Sequence, residues 1–241
     1  MKTRILALAI ALVVVLTIAV PVSAQGPTNI SVTQVDSARF PQIDVYVSVT
    51  DSNGSAVRGV SPNSFRLEEN GQPMQLVSAM RAGEQGPANT VLLIDRSGSM
   101  AHAGKMDGAK QAATTYVNMM RPGDRTALIQ FDTEIETLQP FTDDKNALYA
   151  AIQKLAPRGN TSLYDATAQA ARYFETTTGR KSIIVLTDGM DTSSKQNRQA
   201  AIQQATKTGY SIYTIGLGTP GTGYGNQDGI DESVLRDLAQ A

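Results

Sequence analysis

The chain has 241 residues, with 21 lysines and arginines against 22 acids for a net charge of −1, and 41% of its residues are apolar. That length accommodates one medium domain and a small one around an ordinary buried core. No basic block or basic–aromatic run occurs, which excludes a nucleic-acid partner on charge, and the lack of cysteine excludes disulfides and a thiol-linked lipid anchor.

Residues 1–24 have the make-up of an export signal. Lys2 and Arg4 give a positive start, Ile5 to Val20 is almost wholly apolar, and Pro21 breaks the run before the small-residue site Val22-Ser23-Ala24. The alternative is an uncleaved membrane anchor, but the run falls short of the ~18–20 residues that a span requires. Removal of Lys2 and Arg4 would leave the mature chain near −3. Either reading places the rest in the periplasm, at the cell surface or outside the cell, with a membrane contact only if the segment is uncleaved. Export without thiols suits a bacterial envelope, and so does Asn160-Thr161-Ser162, a glycosylation sequon that overlaps a candidate site.

Residues 25–84 alternate as strands do. Ile43, Val45, Val47 and Val49 share one face, with Asp44, Tyr46 and Ser48 on the other. Asp51-Ser52-Asn53-Gly54 reads as a turn; Asp51 and Asn53 begin a calcium-loop pattern whose later ligands are missing. Phe65 and Leu67 mark a second alternating piece closed by Glu69-Asn70-Gly71-Gln72, and a short strand through Leu76 follows. The expectation is a small, sandwich-like antiparallel β domain, followed by a Gly/Ala/Pro-rich linker, Ala82 to Asn89.

From there the pattern changes, and residues 88–241 form the second unit. Val91-Leu-Leu-Ile94 is a continuous apolar run ending at Asp95, as in a parallel strand buried on both faces. Met106, Ala109, Ala113, Val117 and Met120 then recur at helical spacing. Ala127–Phe131 and Ile135–Leu138 read as strands joined at Asp132-Thr133. Leu148, Ile152 and Leu155 mark a helix, and Leu163, Ala166, Ala170 and Phe174 mark another beginning at Ser162. Ser182–Thr187 is a second buried strand, Ile202 and Ala205 lie in a helix stopping near Gly209, Ile212–Leu217 is a strand, and Asp231–Ala239 a last helix. Strands alternating with helices predict an α/β fold, a doubly wound, mostly parallel sheet, preceded by the small antiparallel β domain.

In such a sheet, ligands bind beyond the carboxyl ends of the strands where strand order reverses. The two most apolar strands are expected to be neighbours, and they end in Asp95 and Asp188. Ser97 and Ser99 on the first loop and Thr161 on the loop opening the third helix bring hydroxyls to the same edge. An all-oxygen set with few carboxylates suits a hard divalent cation such as magnesium. It leaves the ion incompletely neutralised, so an open position attracts a carboxylate from a partner protein.

Three segments, Val91-Leu-Leu-Ile-Asp95-Arg-Ser97-Gly-Ser99-Met100, Gly159-Asn-Thr161-Ser-Leu-Tyr-Asp165-Ala and Val185-Leu-Thr-Asp188-Gly, resemble the metal-ion-dependent adhesion site (MIDAS) of a von Willebrand factor type A domain. The resemblance covers about residues 88–241 and implies Asp95, Ser97 and Ser99 as first-loop metal ligands, Thr161 as the second-loop ligand and Asp188 as the third. It implies magnesium, or manganese or calcium in its place, and protein partners; the metal is expected to grip a partner and not to catalyse a reaction. The β segment ahead of it resembles the immunoglobulin-like piece that precedes such domains in exported bacterial proteins. The family continues past its last helix with a further edge strand and helix. A chain stopping at Ala241 is expected to leave a sheet edge exposed, with poor solubility or dimerisation as the consequence.

Competing readings remain. Asp95 and its serines alone are compatible with a solvated, hydroxyl-capped turn. Asp191 competes with Asp188 for the third-loop position, and Asp165 is expected to begin a helix and hold backbone near the site. A metal that only staples the loops is the structural alternative to a binding module. A haloacid-dehalogenase-like phosphatase is the enzymatic one, but it needs a carboxylate where Ser97 stands, and no phosphate-binding lysine presents itself. Gly216-Leu-Gly218-Thr-Pro-Gly221 matches a dinucleotide fingerprint in letters, yet it follows a late strand and runs into Pro220 and further glycines, so it reads as a loop. His102 is the sole histidine, which rules out a triad and a histidine metal site.

Overall fold

A computed structural model describes residues 29–36, 39–80, 87–175, 177–189, 191–207, 210–219 and 230–239. The export signal expected at residues 1–24 therefore lies outside the described residues. Among those described, no helix is long and apolar enough to cross a membrane.

The amino-terminal segment forms an antiparallel pair, β1 (Asn29–Asp36) with β2 (Asp44–Thr50), and a separate two-residue pair, β3 (Glu68–Glu69) with β4 (Gln72–Pro73). Asp51 forms the anticipated turn, its Oδ1 accepting from the amides of Asn53 and Ser55, both at 2.9 Å. The stretch through Phe65 and Leu67 keeps the alternation in its burial but makes no ladder; strand pairing begins only at Glu68. The described residues of this segment thus form two small sheets, each of two strands. Several apolar side chains, among them Ile30, Val32 and Val77, remain exposed.

The rest is the expected α/β unit. Its sheet has the order β7-β6-β5-β8-β9, built from β5 (Asn89–Asp95), β6 (Arg125–Phe131), β7 (Ile135–Thr142), β8 (Lys181–Thr187) and β9 (Ser211–Gly216). All pairings are parallel except β6 with β7, which are joined by the anticipated tight turn. The helices are α1 (Lys105–Met119), α2 (Lys145–Gln153), α3 (Leu163–Arg172), α4 (Arg198–Lys207) and α5 (Glu232–Ala239). β5 is buried at every residue, which is why its sequence is apolar without alternation. Val91, Leu93, Ile129, Ile183 and Val185 face a core closed by α3 and α5, whereas Leu92, Ile94, Leu128 and Leu186 face α1 and α2.

The two units are stitched at the amino ends of the strands. Gln34 donates to the Gly179 carbonyl and accepts from the Lys181 amide, and Asp36 accepts from the Gly179 amide. Those contacts lie at the end of the sheet opposite Asp95 and Asp188. Among the described residues β9 pairs with β8 alone, and Tyr213 on it is 55% exposed.

Candidate functional site

Strand order reverses between the parallel neighbours β5 and β8: the connection through α1 leads to β6 on one side, and β8 and β9 fill the other. The crevice at this switch point is where the fold leaves room for a ligand. Asp95 and Asp188 stand at it side by side, at the carboxyl ends of the paired strands β5 and β8, and both are 0% exposed.

Asp95 is held by neutral donors. Its Oδ1 accepts from the Ser97 amide at 2.8 Å and its Oδ2 from the Thr187 hydroxyl at 2.6 Å. Burial raises its pKa to about 6; the bonds from Thr187 and Ser97 oppose the shift and the nearby Asp188 charge adds to it. The Ser97 and Ser99 hydroxyls lie 3.0 Å apart on a short 3₁₀ turn, Gly98–Ala101, so the D-x-S-x-S spacing does bring its hydroxyls together.

The loop carrying Thr161 is fastened to the first by two backbone bonds, Gly98 amide to Gly159 carbonyl at 2.9 Å and Arg158 amide to Arg96 carbonyl at 2.6 Å. Gly159 sits at φ +71°, and a Cβ there would stand 3.2 Å from the Asp132 side chain, so the approach needs glycine on both counts. Thr161 is buried. Its amide donates to the Thr192 hydroxyl, and its carbonyl accepts from the Thr192 and Ser193 amides, which ties the second loop to the third. With Thr187 bridging the third loop to Asp95, the three loops are linked pairwise.

Asp191 plays a different part from Asp188. Its carboxylate accepts from the Ser194 amide and hydroxyl and from the Tyr164 amide, so it shapes the third loop. Asp165 accepts from the Lys195 and Gln196 amides, the backbone-holding role expected of it. His102 is exposed beyond the serine turn. Gly216 ends β9 and the three residues after it form no helix; Pro220 and Gly221 lie outside the described residues.

Two features escaped the sequence reading. The first is Lys105, whose Nζ lies 3.1 Å from Asp188 Oδ2 with both side chains buried. A lysine does therefore reach the site, contrary to expectation. The second is an ionic clasp under the second loop. Asp132 is ion-paired with Arg96 at 3.1 Å and Arg158 at 2.8 Å, and Arg158 reaches on to Glu134. Burial pushes the Asp132 pKa up, but the Glu134 amide and the two arginines outweigh it and hold it below the ordinary value. The neighbouring letters Asp95-Arg96 were the available signal: a charged residue following a buried strand end must find its partner close by.

Residues 90–190 match a family model described as the von Willebrand factor type A domain. The α/β unit therefore has the fold of that class and is similar to it over the matched residues. Among solved structures, a von Willebrand factor type A protein from Catenulispora acidiphila superposes with a TM-score of 0.56 at 20% identity, covering 90% of this chain and 45% of that one. An aerotolerance-related membrane protein from Bacteroides fragilis, with multiple mutations to serines, gives 0.54 at 22% identity over 64% of this chain and 87% of that one. Proximal thread matrix protein 1 from the mussel byssus, with a zinc-occupied MIDAS motif, gives 0.54 at 24% identity over 65% and 40%. At these identities the likeness is one of fold.

Proposed function

We propose that the α/β domain is a metal-dependent protein-binding module of an exported bacterial protein, not an enzyme. Asp95, Ser97, Ser99, Thr161 and Asp188 hold a divalent cation, magnesium or else manganese or calcium, and the ion's outward face takes a carboxylate of a protein partner. The observation that carries this reading is the fully buried Asp95. Its partners among the described residues are an amide and a hydroxyl, and it sits against a second buried carboxylate with two serine hydroxyls alongside. A donor set of two carboxylates and three hydroxyls fits a hard cation that keeps waters in its shell. The ion supplies Lewis-acid attraction for an anionic oxygen. The chain's own residues orient the donors, exclude water from behind the site and fix the loops.

The rival in which a metal merely staples the loops has less support, since amide, carbonyl and hydroxyl bonds already link all three. The phosphatase reading still lacks a general acid, because position 97 is a serine. Mussel and Bacteroides proteins of this fold are a thread matrix protein and a membrane protein, in keeping with a place outside the cytoplasm.

The test is calorimetric titration of magnesium and manganese into the full chain, repeated with Asp95→Ala and Asp188→Ala, with circular dichroism to follow the fold. Uptake of about one ion per wild-type chain and none by the folded variants is expected. Wild-type protein that takes up no ion, or variants that bind as the wild type does, would refute the proposal.

A further inference from the structure

Lys105 stands in a place that ordinary helix physics disfavours. It is the first residue of α1, next to an N-cap glycine that provides no side-chain cap, where the helix dipole already presents positive charge. Its side chain is only 1% exposed, so it has also surrendered hydration. A buried ammonium is tolerated only where carboxylates compensate it. The compensation here is Asp188, 83 residues away in sequence, with Asp95 beside it. Lys105 and the two carboxylates sum to one negative charge. A divalent ion among them turns that sum to one positive charge.

We propose that Lys105 is the built-in counter-cation of the site. It shares Asp188 with the divalent ion and weakens the site's hold on it. It also leaves the loaded site with the net positive charge that draws in an anionic oxygen. This inference rests on the metal-binding reading above and adds to it a residue that no ligand motif contains. Lys105 is a positioning and specificity-determining residue, and it gives way when the cation arrives.

The experiment compares the full wild-type chain with Lys105→Gln, which keeps a hydrogen-bond donor for Asp188, and Lys105→Met as a second neutral variant should either fail to fold. Each is stripped with chelator and titrated with manganese alone. Acetate is then added to the loaded protein while water-proton relaxation reports its displacement of manganese-bound water. The neutral variants are expected to bind manganese roughly tenfold or more tightly, because a like charge has been removed from beside the ion. They should also require several-fold more acetate for half-displacement, and chelated Lys105→Gln should melt below the wild type. A lysine that only props the fold would not tighten metal binding. Folded variants with wild-type or weaker manganese affinity, or with unchanged acetate response, overturn the inference while leaving the metal site standing. Uptake by the variants but not by the wild type upholds the lysine's competition and overturns the metal reading of the native chain. No uptake by any of the proteins overturns both.

Discussion

Replacing Asp95 by asparagine should stabilise the metal-free protein above neutrality. Asp95 has an ordinary pKa of 3.8 in the unfolded chain and about 6 when folded, chiefly through burial. A raised acid pKa means that the folded state keeps a proton which the unfolded state has lost. Stability therefore falls as pH climbs from about 4 to about 6 and stays reduced above that. At about 1.4 kcal/mol per pH unit, the buried charge costs the metal-free fold about 3 kcal/mol at pH 8. Asparagine fills the same space, can still accept from the Ser97 amide, and carries no charge. In chelator at about pH 8, Asp95→Asn should melt higher by on the order of 6–12 °C, at the 2–4 °C per kcal/mol usual for a domain of this size. At about pH 3 the difference should nearly vanish, because the carboxyl is then mostly protonated in the folded and the unfolded chain alike. Saturating magnesium should reverse the order at pH 8, since ion binding stabilises only the chain that holds it. Urea unfolding at the two pH values, with chelator and with magnesium, reads all these terms. A variant less stable than the wild type in chelator at pH 8 would show that burial does not dominate at Asp95.

The same proton governs ion uptake: magnesium must displace it, so calorimetric affinity should weaken as pH drops below about 6 and be flat above about 7. Asp191→Ala should loosen the third loop, at a stability loss of about 1 kcal/mol in urea unfolding, yet leave ion uptake intact, because among the described residues Asp191 bonds Ser194 and Tyr164, which belong to no candidate donor set. Asp132→Ala strips Arg96 of a partner 3.1 Å away in a buried position and should lower stability by about 3 kcal/mol or more by the same method. Gly159→Ala meets both a positive φ and the Asp132 side chain; a loss of about 1–3 kcal/mol is expected, with weaker ion uptake as the second loop shifts.

How much was legible depended on where each residue's partners lie in the chain. Val91–Ile94 and Ser182–Leu186 announced adjacent central strands because a strand covered on both faces has no polar side to alternate. Ser97 and Ser99 could be joined because two-residue spacing on a short turn brings hydroxyls together without help from elsewhere. Phe65 and Leu67 misled for a related reason: alternation says which side chains share a face, not whether a neighbouring strand stands in register to complete a ladder. Lys105 was invisible because a lysine at the start of an amphipathic helix looks solvated by default, and only the long connection through three further strands and two helices brings Asp188 to it. Residue type and spacing alone left Asp191 as a substitute for Asp188, and only the family resemblance favoured Asp188. The fold separates them by a geometric accident of strand length: Asp188 directly follows the last paired residue of β8, while Asp191 falls within the loop.

The backbone bonds that tie the loops to one another are neutral, whereas their function, on the reading proposed, rests on charge, and the two differ in range. Amide–carbonyl links between Gly98 and Gly159 and between Thr161 and Thr192 act over hydrogen-bond distance and use none of the candidate donor side chains. Buried charges at Asp95, Asp188 and Lys105 act over longer distances in a medium of low polarity. A cation arriving among them thus meets donors already in place, and little loop ordering opposes its binding. Such a site gains its outward pull from a ligand set too poor in negative charge to quench the ion. Swapping Ser97 or Ser99 for aspartate would add that charge, tightening the metal while weakening the grip on an external carboxylate. Two hydroxyls where carboxylates would bind the ion better are therefore what distinguishes a bridge to a partner from a simple metal store.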